Sequence, residues 1–495
     1  MEFEKQVVPY MRRILRNTQN QELTQDIKLP EGMPDVGTVI GCWGQCVIRT
    51  KDWRTESIGV SGGVIAQVVY IPEGGGIPQR MEAWMPFQMK WNIPKTNHDG
   101  IICTIPLLYN ADARSLSARK LMLRINLGIQ AEAWCADETE FYAPVSIPED
   151  IEILKETFPF RILKEAGEKA FDMEETLDLS TAEPKPESVI RCSLQPLISE
   201  SKLMGDKVVF RGTASIHILY LSDDGQLYGR DFDVPFSQYG DLEGEYGQET
   251  DAQVFPAVTN IEVELLPEGS FMMKASLVGQ YRIIQQICIE LTKDAYSNLR
   301  MVQPAFQPLQ LPVLLESEQV LVRAISDIGV DLQRCVDAAF MMQPLQINQD
   351  GEVVEGELCG TFRIVYYDPD GQLESFTMPW SDNWSISKDS EASVETVLQH
   401  GGKPSMNVTD RSVQADVCIH YAINSGSQIE TVCGLETGQI GEPDPMRPSL
   451  ILRRMDKLTL WELAKSSGST VDLIQKANGL DEVFDDNRIL LIPIP

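Results

Sequence analysis

The 495-residue sequence is short of histidine, with four, and short of base, with 42 Lys and Arg against 73 Asp and Glu. His98, His217, His400 and His420 lie far apart, and none has a second ligand at metal spacing. The net charge of −31 repels nucleic acid and anionic lipid surfaces alike and favours neutral or basic partners. No stretch reaches the roughly 18 consecutive apolar residues of a membrane helix. The first fifteen residues carry Glu2, Glu4, Lys5, Arg12 and Arg13 without the apolar core of a signal peptide, so the expected compartment is a cytosol. Ten cysteines are scattered from Cys42 to Cys433, mostly in apolar runs such as Ile101-Ile102-Cys103, too sparsely for a disulfide framework; they read as reduced core residues. Cys42 and Cys46, the closest pair, have no histidine near them.

What the sequence has is a repeat. The stretch from Val208 to Gly225 combines β-branched, aromatic and small residues and ends in Ser-Asp-Asp-Gly, the signature of a strand entering a tight hairpin. The same pattern occurs 150 positions earlier, with Gly62 on Gly212 and Tyr70 on Tyr220, and again later, where Tyr366 and Gly371 stand for Tyr220 and Gly225 and Leu358 replaces the glycine. A second signature follows each hairpin: Met85-Pro86-Phe87, Val234-Pro235-Phe236 and Met378-Pro379-Trp380. Several turn-separated strands per copy point to a mainly β chain of three tandem antiparallel β-sandwich-like repeats.

The expected organisation starts with an amphipathic helix over residues 1–24, from the helical spacing of Val7, Val8, Met11, Ile14 and Leu15 with Arg12, Arg13 and Arg16 opposite. Such a helix docks on the first repeat or lies in a membrane surface. Repeats follow over 25–146, over 147–304 with a partly helical connector interrupted at Pro159, and over 305–436 in a more divergent copy. A Pro/Gly linker spans 437–448.

Residues 449–495 differ in character. Leu450 to Leu452 form a strand; Thr459 and Glu462 make a capping box for a helix ended by Gly468; a second helix closes at Asn478-Gly479, and a last strand stops at Pro493. The order is βααβ. This module resembles a LysM domain through Thr459-Leu460-Trp461-Glu462-Leu463-Ala464, Asn478 and Leu490-Leu491-Ile492-Pro493. It differs at two loops with which glycan-binding LysM domains hold N-acetylglucosamine polymers: the usual Gly-Asp is Lys457-Leu458 and the usual Gly-Gln is Asn487-Arg488. An apolar knob beside a cation suits a protein surface better than a stacked sugar. The candidate binding residues are Lys457, Leu458, Thr459, Trp461, Asn478, Leu480, Asn487 and Arg488, with Trp461 also readable as core of the small module.

The repeats resemble SPOCS domains of spore coat morphogenetic proteins in endospore-forming Firmicutes, through Leu29-Pro30-Glu31-Gly32-Met33-Pro34-Asp35-Val36 and the strand from glycine to tyrosine. SPOCS repeats followed by one LysM domain form the layout of SipL-type coat proteins. That resemblance implies a scaffold on the mother-cell side of the forespore surface. Its LysM domain would dock onto the coat ATPase, stage IV sporulation protein A, among other coat proteins, with membrane contact peripheral at most. The alternative is a peptidoglycan-binding protein acting through the same module.

No enzyme is expected. Gly59-Val60-Ser61-Gly62-Gly63 fits GxSxG, but Ser61 begins a β-strand and its counterpart in the second copy is Arg211, whereas a nucleophile elbow needs a strand-turn-helix. Gly74 to Gly76 lack the Lys-Ser/Thr and helix of a phosphate loop. The acidic run Asp241 to Glu249 lacks the ligand alternation of a calcium loop. His217, between Ile216 and Ile218, is expected on the exposed or rim side of its strand. No cofactor or metal is implied.

Overall fold

A computed structural model describes residues 2–96, 99–247, 250–400, 404–407, 411–425, 428–441, 446–454, 458–479 and 489–495. The chain is mainly β. The first unit comprises β1 (Phe3–Lys28), β2 (Val36–Arg54), β3 (Ser57–Pro72), β4 (Gln79–Asn92), β5 (Ile101–Ser117) and β6 (Lys120–Pro144). The second comprises β7 (Ile151–Leu177), β8 (Pro186–Met204), β9 (Lys207–Ser222), β10 (Leu227–Asp241), β11 (Thr250–Leu265) and β12 (Phe271–Ser297). After β13 (Val302–Gln310) come β14 (Val313–Asp327), β15 (Arg334–Met342), β16 (Gln346–Asp350), β17 (Val353–Tyr367), β18 (Leu373–Ser387), β19 (Ser393–His400), β20 (Ser405–Asn407) and β21 (Ser412–Ser425). Then β22 (Gln428–Thr437) pairs with β13 in a two-stranded ribbon.

Strand order repeats with the sequence. Sheets β1-β6-β5 and β2-β3-β4 enclose one hydrophobic core in the first unit; β7-β12-β11 and β8-β9-β10 do so in the second. The third has β14-β21-β19, and β17 flanked by β18 and by β15 and β16, which together occupy the place of β2. The bulges repeat too. β2 shifts register at 36/38, 39/41 and 48/50, and β8 does so at 186/188, 189/191 and 198/200, each 150 residues on.

The expected amphipathic helix is not formed. Residues 3–28 are strand β1, paired with β6 from Phe3↔Pro144 to Lys28↔Lys120. The helical spacing has a local cause: a bulge between Arg13 and Leu15 breaks the period-2 alternation, so Val8 and Tyr10 join one cluster while Ile14 and Leu15 pack on the first core. The partly helical connector is corrected in the same way, since residues 151–177 form β7. β7 carries its own bulge between Leu163 and Glu165 and has Pro159 where β1 has Pro9, again 150 apart. Neither local pattern supplies the hydrogen-bond partner, and the long-range strand β6 or β12 decides both cases.

β3, β9 and β17 are covered on both faces toward their C-terminal ends. On β9, Ala214, Ile216, Ile218 and Tyr220 enter the unit's own core, while Leu219 and Leu221 point the other way. There they meet equivalent residues of the other units in one cluster: Ile40, Ile190 and Val336; Val69, Leu219 and Val365; Ile71, Leu221 and Tyr367. This face also holds His217, which is 5% exposed rather than on a rim. Its Nδ1 lies 2.7 Å from Asp231 and its Nε2 3.0 Å from Asp337 of the third unit, whose carboxylate also accepts from Arg191 at 2.6 Å. The solvent-facing side of an isolated repeat is an inter-unit face here. The Trp43 ring of the first unit lies 4.9 Å from the Arg191 guanidinium and 5.9 Å from that of Arg363, and Arg363 donates to the Ala111 and Cys42 carbonyls.

The recurring glycine has a steric reason. A Cβ on Gly62 or Gly212 would stand 2.1 Å from the Val47 or Leu197 carbonyl oxygen and against the Phe87 or Phe236 ring. Those rings belong to the second signature and lie directly across the strand pair. In the third unit the same pairing brings Gly360 opposite Trp380. The ring against Gly360 is Phe340 of β15, 2.2 Å from where a Cβ would stand, so a glycine beneath an aromatic recurs two residues along the strand from the expected position, where Leu358 stands. Tyr70 and Tyr220 donate to the Pro34 and Pro184 carbonyls at 3.0 and 3.3 Å, so the conserved spacing also ties the Pro-Asp-Val loop to the strand.

Two outcomes follow for the full chain. Gly212→Ala forces backbone and ring apart and is expected to lower stability by about 1–3 kcal/mol. Asp337→Ala leaves Arg191 and His217 without their shared buried carboxylate and costs about 3–5 kcal/mol. Chemical denaturation of each variant beside wild type measures both.

Candidate functional site

No group of three or more His, Cys, Asp or Glu able to hold a metal occurs among the described residues. The ten cysteines are unpaired to one another. Burial pushes the thiols of Cys42, Cys46 and Cys192 up to about 12, which makes them poor nucleophiles. Ser61 Oγ lies 2.6 Å from Thr50 Oγ1 on β3, in no strand-turn-helix setting. Attention therefore turns to the C-terminal module.

The module consists of β23 (Leu450–Arg454), α1 (Leu460–Ser467), α2 (Val471–Asn478) and β24 (Ile489–Pro493), with β23 and β24 antiparallel. Thr459 caps α1: its hydroxyl accepts from the Glu462 amide at 3.2 Å while the Glu462 carboxylate accepts from the Thr459 amide at 2.8 Å. Gly468, at φ 68°, ends the helix in the left-handed region. Asn478 binds both ways to Leu491, accepting from its amide at 2.8 Å and donating to its carbonyl at 2.6 Å, which ties α2 to β24. Leu463, Ala464, Ile474, Leu490 and Ile492 form the interior.

A sixth residue completes that interior and comes from outside the module. Tyr296, near the end of β12, is 6% exposed and packs among those five. Its ring meets Trp461 edge-on, with centroids 4.8 Å apart, and its hydroxyl donates to the Ser469 carbonyl at 3.0 Å. Asn298 donates to the same carbonyl at 2.9 Å. Two residues before the tyrosine, the Asp294 carboxylate accepts from the Trp461 indole at 2.9 Å and from Lys465 at 2.6 Å. A bulge between Thr292 and Asp294 precedes the pair. The module is thus clamped to the second unit through α1.

The expected binding residues divide accordingly. Thr459 and Asn478 are engaged in holding the module together, Trp461 is engaged by the clamp, and Leu458 is half-buried. Lys457, Leu480, Asn487 and Arg488 lie outside the described residues. Asp294 and Tyr296 were not among the expected residues. The signal for them is a departure from the repeat, since the first unit has Pro144 and Ser146 at those positions. On the ribbon's outer face, Leu450, Leu452, Ile489 and Leu491 are exposed.

Burial alone pushes the Asp294 carboxyl up, but hydrogen bonds from Lys465, Trp461 and the Ala295 amide outweigh it and hold the group below its ordinary 3.8. A depressed carboxyl contributes stability above its unfolded value and loses it as pH falls through the folded one. The clamp is expected to be unchanged from about pH 8 to about pH 5 and to weaken only below the ordinary carboxylate range near 4. Asp294→Asn is expected to loosen it by about 1–2 kcal/mol, with the Lys465 share small because that ammonium is 44% exposed. Hydrogen exchange at the α1 amides, followed against pH and in the variant, measures this.

Comparison with known proteins bears on the second unit. Residues 185–266 match the family model described as SipL, SPOCS domain, a span that begins with β8 and runs to the end of β11. No curated protein matches, and no solved structure matches. The matched span contains β9, with Gly212 and Tyr220, and the Val234-Pro235-Phe236 signature that packs on it. Over residues 185–266 the chain is similar to the SPOCS domain of the SipL family model, a domain family with a sporulation coat-related role.

Proposed function

We propose that this chain is a non-enzymatic scaffold of endospore coat assembly, built from three SPOCS-type β-sandwich repeats and a C-terminal LysM domain. The observation that carries the reading is the recurrence of the matched second unit's strand order in the first and third units, with the same glycine–aromatic contact in the first. Three such units joined through one apolar cluster, with the module clamped to the second, give the arrangement a scaffold needs to hold one partner at a fixed place on a surface.

The module is the docking element in this reading. By its resemblance to the LysM domain of SipL-type proteins, it takes the coat ATPase, stage IV sporulation protein A, on the mother-cell side of the forespore surface. Two observations favour a protein partner over a glycan: Thr459 and Asn478 are consumed by bonds within the module, and the outer face of β23 and β24 is apolar with Arg454 beside it.

The full chain is expected to capture the coat ATPase of the same organism from solution, and a chain ending at residue 438 to lose at least about tenfold in affinity, 1.4 kcal/mol. Equal capture by both would place the docking surface on the repeats. Calorimetric titration of the full chain with a soluble N-acetylglucosamine oligomer is expected to give no saturable heat; a saturable isotherm would support the peptidoglycan reading instead.

A further inference from the structure

The clamp shows what the module's α1 face binds, because the second unit supplies a ligand for it. That ligand is a strand segment, Asp294-Ala295-Tyr296, whose first and third side chains lie on one side as the period of a strand requires. The carboxylate takes both donors that α1 offers, the Trp461 indole and the Lys465 ammonium, and the ring fills a slot lined by Leu463, Ala464 and Ile474. We propose that this face is a recognition site for an acidic-x-aromatic strand, occupied in cis by Asp294 and Tyr296 and taken in trans by a partner protein that presents the same pair. The inference rests on the reading that the module docks a partner protein, and it adds the chemistry of that partner and the reason the free chain is held back.

Three features separate this contact from ordinary packing between domains. It is specific to one repeat: where β12 has Asp294 and Tyr296, β6 and the residues after it have Pro144 and Ser146, so the pair is an addition to the repeated fold. The carboxylate's two side-chain donors and the tyrosine hydroxyl's acceptor, the Ser469 carbonyl, all belong to the module. The slot is also part of the module's own core. Withdrawing Tyr296 opens an apolar cavity, and an empty cavity of this kind is costly in water. Release therefore proceeds by exchange, with an incoming aromatic ring replacing the outgoing one. The incoming strand must bring an acid as well, or the indole N–H and the ammonium lose their acceptor.

The cis ligand, joined through the chain, acts at an effective concentration on the order of millimolar. A free strand therefore competes poorly until the cis pair is removed. The test uses a fluorescein-labelled peptide of residues 290–300, ELTKDAYSNLR, titrated into the full-length protein and followed by anisotropy. The double variant Asp294→Asn/Tyr296→Ala is expected to bind it at least about tenfold more tightly than wild type. Adding Trp461→Ala to that variant is expected to abolish binding, as is replacing the Asp and Tyr of the peptide by Ala. The milder variant Asp294→Asn/Asn298→Ala, which keeps the ring in its slot, gives an intermediate affinity and serves if the first variant does not fold. Equal affinity for wild type and released chain, or no binding to the released chain up to about millimolar peptide, overturns the inference. Capture of the coat ATPase separates the two levels. If the released chain binds the peptide but no chain captures the ATPase, the recognition chemistry stands and the assigned partner falls. If wild type captures the ATPase and the released chain does not bind the peptide, the partner stands and the acidic-x-aromatic site falls.

Discussion

The structure depends on the C-terminal part of each unit's central strand being covered on both faces. In β3, β9 and β17 one set of alternate residues fills the unit's own core and the other set fills the cluster shared by all three units. Separation of the units would expose Val69, Leu219 and Val365 together with Ile71, Leu221 and Tyr367. The hydrophobic effect that folds each repeat also fuses the three. The polar groups on this face are tied down: Arg191, His217 and Asp337 meet across the second and third units, and Arg363 caps carbonyls of the first. A buried charge pair adds little net stability, but removing one partner is costly, and such contacts hold the arrangement of units in register.

The far faces use charge in the same way. Glu132 and Arg282 hold equivalent positions, 150 apart, in the first two units and pair with one another. Arg13 and Arg16 of β1 reach Glu395 of the third unit. Opposite charges at these equivalent positions let the first two units pair with one another there. The module at the end follows the same logic: an acid and an aromatic added to one repeat alone select where α1 docks.

Much of this was legible in the residues. The hairpin of Val208 to Gly225, its copies, the aromatic after each hairpin and the βααβ order with its capping box all rest on short-range physics, namely strand alternation, turn chemistry and helix caps. The errors had one source. Val7, Ile14 and Leu15 mimic helical spacing because a bulge resets the alternation of β1, and the apolar run from Ile153 to Leu163 reads as helix although it is strand paired along its length with β12. His217 was placed at a rim because the third unit, 120 residues on, is invisible to a local reading. The docking role of Trp461 was likewise hidden, since Tyr296 lies 165 residues before it.

The sequence by itself determined the mainly β character, the recurring strand and hairpin, and the two capped helices near Pro495, because each is written in contacts between near neighbours or in direct self-similarity. Only the tertiary structure decided that residues 3–28 and 151–177 are strands, that the outer faces of the repeats are buried against one another, and that Asp294 and Tyr296 occupy the face of the module carrying Trp461. Those outcomes depend on which distant surface supplies the missing hydrogen-bond partner or apolar cover, and the chain states that choice nowhere within a window of its own residues.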